Sequence, residues 1–584
     1  MSKLFLLLLA ASLWGADEDG AALFAARCAQ CHKDPPVNRA PLPDALEKMP
    51  REAVLAALTN GSMKAQGAEM TEAQRMAVAA WVSRKATAAA HGDGGRCAAD
   101  VISQSDSTYW NGWGGEESNS RYQAGETPAA WKLRWAFAIP GATAAIGQPA
   151  VVGGRLYFGS MDGMVYAVDA ATGCWFWKFK ARSALRSPIV IGTVGHARHA
   201  ALFGDTQAWV YAVNVKDGSL VWQLHADEHR LARVTGAPKL SGSRLYVPVS
   251  SVEEVAGASP KYECCTFRGS VVAIDIESGK QVWKTYTIAE PPSPGKKNTA
   301  GVQQHGPAGA AVWSSPALDV ARRTLYLGTG NGYADPPVKT TNAVLALDMD
   351  SGAIRWSKQL TEADRWHMGC NAPGEPNCPQ NPGPDFDIGA APILRTLPDG
   401  RRVLLVGSKS GVAYGLDPAD GRTLWQTRVA EGGMLGGIQW GMAADAGRVY
   451  IGVSDVHNPA KAGGVVALRL NNGERLWHAA PVKPACEGKR GCTAAVMAPL
   501  TVTDTAVFAA SMDGMLRVLD RATGKPVWSF DTNRPFDAVN GKGHGGSISG
   551  SGAVLANGML FVNSGYGILG GMPGNVLLAF TPSN

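Results

Sequence analysis

Residues 346–356 read Ala-Leu-Asp-Met-Asp-Ser-Gly-Ala-Ile-Arg-Trp: the end of an apolar strand, an acidic residue, a glycine turn and a tryptophan four residues after the glycine. With aspartate or another polar residue at the third position, this pattern occurs in seven complete copies along the chain. Their tryptophans are Trp177, Trp222, Trp283, Trp356, Trp425, Trp477 and Trp528. Counted from Trp135, consecutive repeat tryptophans lie 42 to 73 residues apart. Such a period is typical of propeller blades with four short strands each.

The eighth copy is divided between the two ends of the chain. Residues 133–135 (Leu-Arg-Trp) carry its tryptophan half, and residues 577–580 (Leu-Leu-Ala-Phe) carry its strand half. A blade assembled from both ends closes a ring and hides its edge strands. The sequence therefore predicts a mainly β protein built on an eight-bladed β-propeller, with the repeat tryptophans packed between blades. The longer third to fifth spacings predict insertions on one face, where function is often located.

Composition agrees with many short strands joined by turns. The 584 residues include 70 glycines and 18 tryptophans, and only 18% are charged. This mixture argues against disorder, which combines low apolar content with high net charge, and against a coiled coil. The net charge of +6 contains no block of like charges, so we expect no nucleic-acid binding.

The chain begins with a basic residue, Lys3, followed by an apolar run over residues 4–14. This run is too short to span a bilayer and predicts a secretory signal peptide over residues 1–16. Without a second apolar span, we expect a soluble exported protein with no stable membrane span. A retained anchor is the alternative, because Trp14 occupies a position where a small residue is preferred.

A haem attachment motif follows the predicted signal. Cys28 and Cys31 match C-x-x-C-H, in which two thiols add to the haem vinyl groups and the adjacent His32 binds the iron. A chance match or a redox C-x-x-C pair is the alternative. Met63 is the expected second iron ligand. Met70 is its rival, but it directly precedes a residue typical of a helix N-cap.

These features divide the chain. Residues 17–92 are predicted to form an all-α class I cytochrome c domain, residues 93–130 a linker that enters the propeller, and residues 131–584 the propeller itself. A haem-bearing exported protein indicates the bacterial periplasm.

The remaining eight cysteines are enough for four disulfides in an oxidising compartment. Their spacings favour a vicinal bridge and two loop staples, with one pair left over; the alternative for the adjacent pair is two separate thiols. The predicted pairs are Cys264–Cys265, Cys370–Cys378, Cys486–Cys492 and Cys97–Cys174. A zinc site is not expected, because the short spacings lack a histidine partner.

Several long stretches carry a family resemblance. They include residues 311–316 (Ala-Val-Trp-Ser-Ser-Pro), 328–331 (Gly-Thr-Gly-Asn), 544–550 (His-Gly-Gly-Ser-Ile-Ser-Gly) and 563–567 (Asn-Ser-Gly-Tyr-Gly). With the tryptophan repeats, the chain resembles the pyrroloquinoline quinone (PQQ) alcohol dehydrogenases, nearest to the cytochrome-containing polyvinyl alcohol dehydrogenases among them. The resemblance covers nearly the whole chain after the signal.

The resemblance implies a set of PQQ ligands. In that family PQQ lies at the propeller axis between a tryptophan and a vicinal disulfide, positions matched here by Trp313 and by Cys264 with Cys265. The cysteine pair comes later in this chain than in the methanol dehydrogenases of the family. Lys409 resembles the basic residue that bonds the quinone oxygens. Arg186 and Thr235 are expected to bind PQQ carboxylates.

The resemblance also implies Ca²⁺ on the quinone edge. Glu253 or Glu254 resembles its carboxylate ligand and Asn331 its amide ligand, and hard oxygen donors suit this ion. The alternative for the two glutamates is a solvated loop pair. Calcium would polarise the quinone carbonyl as a Lewis acid.

One position departs from the family pattern. Where many members carry an aspartate base, this chain has Asn342, and an amide cannot act as a general base. Asp335, seven residues upstream, is the expected replacement, and Asp385 and Asp387 in the next insertion are further candidates.

The expected activity is oxidation of secondary alcohols, and of polyvinyl alcohol in particular. A base takes the hydroxyl proton while hydride goes to PQQ, and electrons then pass to haem c and on to a downstream periplasmic cytochrome c or other acceptor. Trp440 is predicted to line the propeller mouth or to be a core residue of a blade. The alternatives are a non-catalytic scaffold propeller and an electron carrier that has lost its quinone.

Overall fold

The computed structural model describes residues 19–33, 40–47, 49, 51–59, 63–83, 94–98, 109–128, 130–195, 198–371, 374–458 and 460–583. The predicted signal peptide lies outside the described residues. Within these ranges, every helix is too short or too polar to cross a bilayer.

A helical unit comes first. Its helices are Gly20–Arg27, Pro43–Leu46, Arg51–Thr59, Lys64–Gly67 and Glu72–Val82. Asp19 caps the first helix by accepting backbone N–H bonds, and Thr71 forms a capping box with Gln74 at the start of the last. The apolar faces of the helices share one core. Its buried residues are Phe24, Leu46, Val54, Leu58, Met70, Val78, Ala79 and Val82.

Eight antiparallel sheets follow, which confirms the predicted eight-bladed propeller; seven have four strands, and the third has the short strand Ala232–Arg233 as a fifth. Blades 1 to 4 comprise Ala150–Val152, Arg155–Gly159, Met164–Asp169 and Trp175–Lys180; Val190–Val194, Arg198–Gly204, Trp209–Asn214 and Leu220–His225; Lys239–Ser241, Arg244–Ser251, Ser270–Asp275 and Lys280–Tyr286; and Ala317–Asp319, Thr324–Gly328, Ala343–Asp348 and Ile354–Gln359. Blades 5 to 7 comprise Ile393–Thr396, Arg402–Gly407, Val412–Leu416 and Thr423–Arg428; Met442–Ala444, Arg448–Gly452, Val465–Arg469 and Arg475–Ala479; and Thr501–Val502, Ala506–Ala510, Met515–Asp520 and Pro526–Asp531.

Blade 8 closes the ring as the divided repeat predicts. The strand Trp131–Ala138 pairs antiparallel with Val576–Pro582, which continues the sheet of Val554–Ala556 and Met559–Ser564. Because the first propeller strand completes the last blade, neither end of the ring leaves an open edge.

The repeat tryptophans join neighbouring blades through one recurring contact. The indole N–H of Trp177, for example, donates to the carbonyl of Val215 in the next blade at 2.8 Å. Its ring lies against Gly218, where an added Cβ would come within 2.8 Å of a ring atom. Gly218 also has φ +77°, which favours glycine. The other docking pairs are Trp135–Gly173, Trp222–Gly279, Trp283–Gly352, Trp356–Gly421, Trp425–Gly473 and Trp477–Gly524. Tryptophan and glycine are therefore two halves of one interface, repeated around the ring.

All four predicted disulfides are present. The bridge between Cys97 and Cys174 ties the segment before the propeller to blade 1.

The insertions add short elements outside the blades. They are the helix Glu253–Ala256, the hairpin Ser293–Lys297 with Gln303–Gly306, the pair Ala308–Gly309 with Gly332–Ala334, the 3-10 turns Val320–Arg322 and Met368–Asn371, and the hairpin Pro535–Ala538 with Gly541–His544.

A segment over residues 109–128, which we call the arm, crosses the inner ends of the blades. It forms β-bridges from Trp110 to blade 1 and from Tyr122 to blade 7. Between these points its carbonyls accept N–H bonds from Leu318, Leu394 and Ala444, in blades 4, 5 and 6. The arm therefore closes one end of the axial channel. The sequence predicted only a linker for this part of the chain.

Candidate active site

A cavity lies on the propeller axis beside the arm. The space between its lining atoms is about 390 Å³, a figure that includes the part open to solvent. Trp113 of the arm lines it together with Trp313, Arg186 and Thr235. The fold thus brings together three predicted PQQ-binding residues that are up to 127 positions apart in the chain (313 − 186). Trp440 also lines the cavity, so the prediction that it faces the mouth fits its position.

The Trp313 ring is held in place by the backbone around it. A Cβ added to Gly389 would lie 1.7 Å from the ring, so only glycine fits there. Trp440 packs edge-on against the ring, with 5.1 Å between the centroids. Two further cavity residues, Ser314 and Ser315, have buried hydroxyls without hydrogen-bond partners. A flat, anionic aromatic molecule fits this donor set, because it would supply both a stacking face and hydrogen-bond acceptors.

A buried lysine lies close to Trp313. Lys409 is only 2% exposed, and its Nζ lies 5.6 Å from the centroid of the Trp313 ring. The same Nζ donates to Asp385 Oδ1 at 3.0 Å and to Asp387 Oδ2 at 2.7 Å. We call these three residues the lysine–aspartate cluster. A buried cation of this kind requires the paired carboxylates, since an unpaired one would be strongly destabilising.

Asn331 is tied to this cluster. Its backbone N–H donates to Asp387 Oδ1 at 2.7 Å, and its side-chain amide donates to the carbonyl of Trp366. Four predicted site residues, Trp313, Asn331, Lys409 and Asp387, therefore meet at one place. Asp387 has both carboxylate oxygens engaged, which makes it a fixed anchor of the site.

Asp335 is placed elsewhere. Its side chain is 63% exposed and forms an ion pair with Arg365. In the described part of the chain, no hydrogen bond or ion pair joins it to Lys409 or Trp313. The local strand carries Asp335 outward, whereas Asp385 arrives from the next insertion. Of the candidates for the base, the geometry thus favours Asp385 over Asp335.

Glu253 is also not positioned as the resemblance implies. The side chain is fully buried, and Oε1 accepts bonds from the Tyr262 hydroxyl and the Thr266 N–H, each at 2.8 Å. Oε2 accepts the N–H of Phe267 at 2.8 Å. Burial alone would raise the pKa of Glu253, but these bonds and the adjacent His229 lower it overall. Glu253 thus anchors the loop that follows the vicinal disulfide, and both of its oxygens are used.

Glu254 is the other predicted calcium ligand. It is buried and interacts electrostatically with Tyr333, two residues beyond Asn331. Burial, followed by the charge of Glu254, raises the pKa of Tyr333 well above its ordinary value. Neither glutamate is a solvated loop residue.

The vicinal disulfide lies beside the cavity without lining it. Cys264 and Cys265 are buried in the apolar cluster against which Trp313 packs. Backbone hydrogen bonds in both directions join them to His305 of the 293–306 hairpin. The lining of the cavity, among the residues that the structure describes, does not include either cysteine. A stacking role for the disulfide remains a prediction.

The haem motif has the geometry of an attachment site. Cys28 and Cys31 are free thiols. His32 is 7% exposed, and its Nδ1 lies 2.7 Å from the carbonyl oxygen of Pro41. Donation from Nδ1 leaves the Nε2 lone pair for iron, an arrangement typical of metal-binding histidines. Burial also lowers the pKa of His32, which favours the neutral imidazole.

Both candidate methionine ligands lie in the helical core. Met70 is a buried core residue, whereas Met63 is partly exposed and packs against that core. A side chain on the rim of the core can reach a haem without leaving a cavity behind, which favours Met63.

Comparisons with known proteins agree with this arrangement. Residues 110–434 match the family model of the glucose/ethanol/alcohol dehydrogenase β-propeller domain, and residues 408–569 match that of the outer membrane protein assembly factor BamB. Residues 15–82 match the model of cbb3-type cytochrome c oxidase subunit III. A polyvinylalcohol dehydrogenase of Pseudomonas sp. is 38% identical, with 96% of this chain and 93% of the relative covered. The chain belongs to the PQQ-dependent alcohol dehydrogenase family, in the branch with a cytochrome c domain.

Further relatives of this PQQ-dependent alcohol dehydrogenase agree with the family assignment. A polyvinylalcohol dehydrogenase of a Sphingopyxis species is 37% identical over 96% of this chain and 92% of its own length. The solved quinohemoprotein alcohol dehydrogenase ADH-IIG of Pseudomonas putida superposes with a TM-score of 0.63 at 17% identity, covering 84% of this chain and 83% of that one. At that identity the likeness concerns the fold alone. Family membership implies PQQ and haem c as cofactors.

One residue of the dehydrogenase site escaped the sequence analysis. Asp364 is buried beneath the cluster and accepts a 2.7 Å bond from the Asn342 side chain. No motif marks it, because it stands alone near the start of the segment between blades 4 and 5. The run Asp385-Phe386-Asp387, by contrast, was visible as a pair of acidic residues.

Proposed function

We propose that this enzyme oxidises secondary alcohol groups, with polyvinyl alcohol as its substrate, in the bacterial periplasm, and passes the electrons through haem c to a downstream cytochrome or other acceptor. The observation that carries the proposal is the lysine–aspartate cluster beside Trp313 on the propeller axis. The substrate follows from the names of the two full-length relatives.

The cavity residues divide into those that would stack on PQQ and those that would bind its polar edge. Trp313 supplies a flat face, and Arg186, Thr235, Ser314 and Ser315 supply donors for carboxylates. When bound, PQQ supplies a two-electron acceptor for the hydride of the alcohol carbon. Lys409, whose Nζ lies 5.6 Å from the centroid of the Trp313 ring, would be the donor to a quinone oxygen.

Asp385 is the proposed general base. Its Oδ1 accepts from Lys409 Nζ at 3.0 Å, so a positively charged partner lies beside the carboxylate. Removal of the hydroxyl proton by Asp385, together with loss of the carbinol hydrogen as hydride, turns a secondary alcohol into a ketone. Asp387 accepts hydrogen bonds from Lys409 and from the backbone N–H of Asn331, and so fixes their positions. It does not itself take the proton.

Glu254 and Asn331 are the proposed Ca²⁺ ligands. The amide nitrogen of Asn331 donates to Trp366, which leaves its amide oxygen as the atom for a cation. Carboxylate and amide oxygens are the donors that Ca²⁺ prefers.

Reduction of the haem tests the proposal directly. The exported holo-cytochrome, prepared without PQQ, is mixed with PQQ, Ca²⁺ and polyvinyl alcohol while the haem bands are recorded. We expect reduction only when all three additions are present, with 2-propanol also active and ethanol poor. Exclusive activity on primary alcohols would contradict the substrate, and failure to bind PQQ would contradict the function.

The second iron ligand can be assigned by substitution. We expect Met63→Ala to remove the far-red absorption band of methionine-ligated ferric haem and to lower the haem potential, since a His/Met pair raises it. Met70→Leu is the matched control, because it preserves apolar volume in the core. Loss of the band in Met70→Leu, and not in Met63→Ala, would reverse the assignment.

One ion pair joins the two domains beside the haem motif. Arg490, in the loop stapled by Cys486–Cys492, lies 3.8 Å from Asp44 on the helix that follows Pro41. We expect Arg490→Glu to slow haem reduction at low salt by at most about fivefold, because exposed ion pairs contribute about 0–1 kcal/mol. The difference should shrink as salt screens the charges, and adding Asp44→Lys should restore the rate. An unchanged rate at low salt would show that this contact does not guide transfer.

A further inference from the structure

The buried carboxylate of Asp364 contacts the loop that carries the proposed base. Its side chain is completely buried. Oδ1 accepts the backbone N–H of Asp385 at 3.2 Å, and Oδ2 accepts that of Phe386 at 2.8 Å. Two consecutive N–H groups, including that of the base itself, are thus held by one side chain.

Asn342 fixes the orientation of this carboxylate. It is buried at φ +46°, and its Nδ2 donates to Asp364 Oδ2 at 2.7 Å. Asn342, the position that departs from the family pattern, therefore has a structural role of its own. Its amide donates to a second aspartate, Asp364.

The backbone at Gly383 comes very close to the Asp364 side chain. A Cβ on Gly383 would lie 2.6 Å from Asp364 Oδ1, and Gly383 has φ +96°. On the other side, the Asp364 carbonyl accepts the N–H of Gly332, which directly follows Asn331. Asp364 thus connects the segment of Asn331, the turn of Asn342 and the loop of Asp385.

We propose that Asp364, oriented by Asn342, is a positioning residue that holds the Asp385 carboxylate at Lys409 and the substrate hydroxyl. This inference rests on the proposed function. A carboxylate accepts at both oxygens, so it can bind two backbone N–H groups and the amide at once. An asparagine in its place must turn its NH₂ toward one of those donors, which leaves a buried N–H unpaired and moves the loop.

The test is Asp364→Asn in the full-length holoenzyme loaded with PQQ and Ca²⁺. We expect kcat for 2-propanol to fall about 10- to 100-fold, because a displacement of about 1 Å at a reacting group can cost that much. KM and PQQ stoichiometry should stay within about twofold, since Asp364 touches neither cavity nor substrate. The isotope effect on kcat with 2-deuterated 2-propanol should rise as hydride transfer becomes slower than the other steps.

Asp445→Asn is the matched control for general destabilisation. Asp445 is also a buried aspartate; it accepts two backbone N–H groups and the Tyr450 hydroxyl in blade 6, and it also pairs with Arg521 at 2.7 Å. The melting temperature of Asp445→Asn should fall about as much as that of Asp364→Asn. Its kcat and isotope effect should stay at the wild-type values. Asn342→Ala should lower kcat less than Asp364→Asn and add little to it in the double variant, because the two act as one unit.

The outcomes separate the two proposals. A wild-type enzyme that fails to oxidise alcohol overturns the proposed function and this inference with it. An active wild type with normal kcat and isotope effect in Asp364→Asn overturns the positioning role alone. A parallel fall of kcat in Asp364→Asn and Asp445→Asn would show that the loss is merely structural.

Discussion

Asp385→Asn should lower kcat for alcohol oxidation by about 10²–10⁴-fold, which is the usual contribution of a positioned general base. The amide keeps the shape of the side chain and can still accept from Lys409 Nζ, but it cannot take the hydroxyl proton. PQQ binding should be retained, because Asp387 continues to neutralise Lys409. The measurement is the steady-state rate of haem reduction with 2-propanol, alongside the PQQ content of the purified protein.

Asp335→Asn is the control for this result. Asp335 is also an aspartate of the insertions, but its carboxylate is exposed and paired with Arg365. Its loss should leave kcat within about twofold, since exposed ion pairs contribute little. If Asp335→Asn abolishes turnover and Asp385→Asn does not, the base is Asp335 and the geometric argument is wrong.

Loss of both haem thiols should eliminate electron transfer to the cytochrome domain completely. In the double variant Cys28→Ser with Cys31→Ser, no thioether can form, so the haem is not retained after denaturing treatment and alcohol produces no change in the haem bands. The propeller has its own core and four disulfides elsewhere in the chain. Its reaction with alcohol and an artificial dye acceptor should therefore continue.

The dye reaction is the internal control for the double cysteine variant. If dye reduction stops as well, the cytochrome domain is required for the propeller to fold or to bind PQQ. If alcohol still reduces a protein-bound haem, the attachment motif lies elsewhere.

The architecture could be predicted from the sequence because it depends on contacts that repeat. Seven of the eight repeat tryptophans dock on a glycine of the following blade, so the pair recurs at a regular spacing in the sequence. The divided eighth repeat specified ring closure for the same reason. The haem motif could also be predicted, because its residues are close in sequence. The disulfides could be predicted because few cysteines remain to be paired.

The site was predicted only in part. Trp313, Asn331 and Lys409 were recognised from short motifs, and the structure brings them together. The choice of Asp335 relied on its nearness to Asn342 in sequence, although its side chain is exposed and pairs with Arg365. Glu253 was grouped with Glu254, but only Glu253 turns back to hold the loop after Cys265.

The sequence by itself therefore determined the eight-bladed ring, the haem attachment site, the four disulfides and the family, because local spacing and covalent chemistry encode them. Only the tertiary structure decided which aspartate reaches Lys409, that the arm closes the axial channel, and that Asp364 lies beneath Asp385. These features depend on where separate insertions converge on the axis. That convergence follows from blade packing and buried hydrogen bonds between residues far apart in the chain.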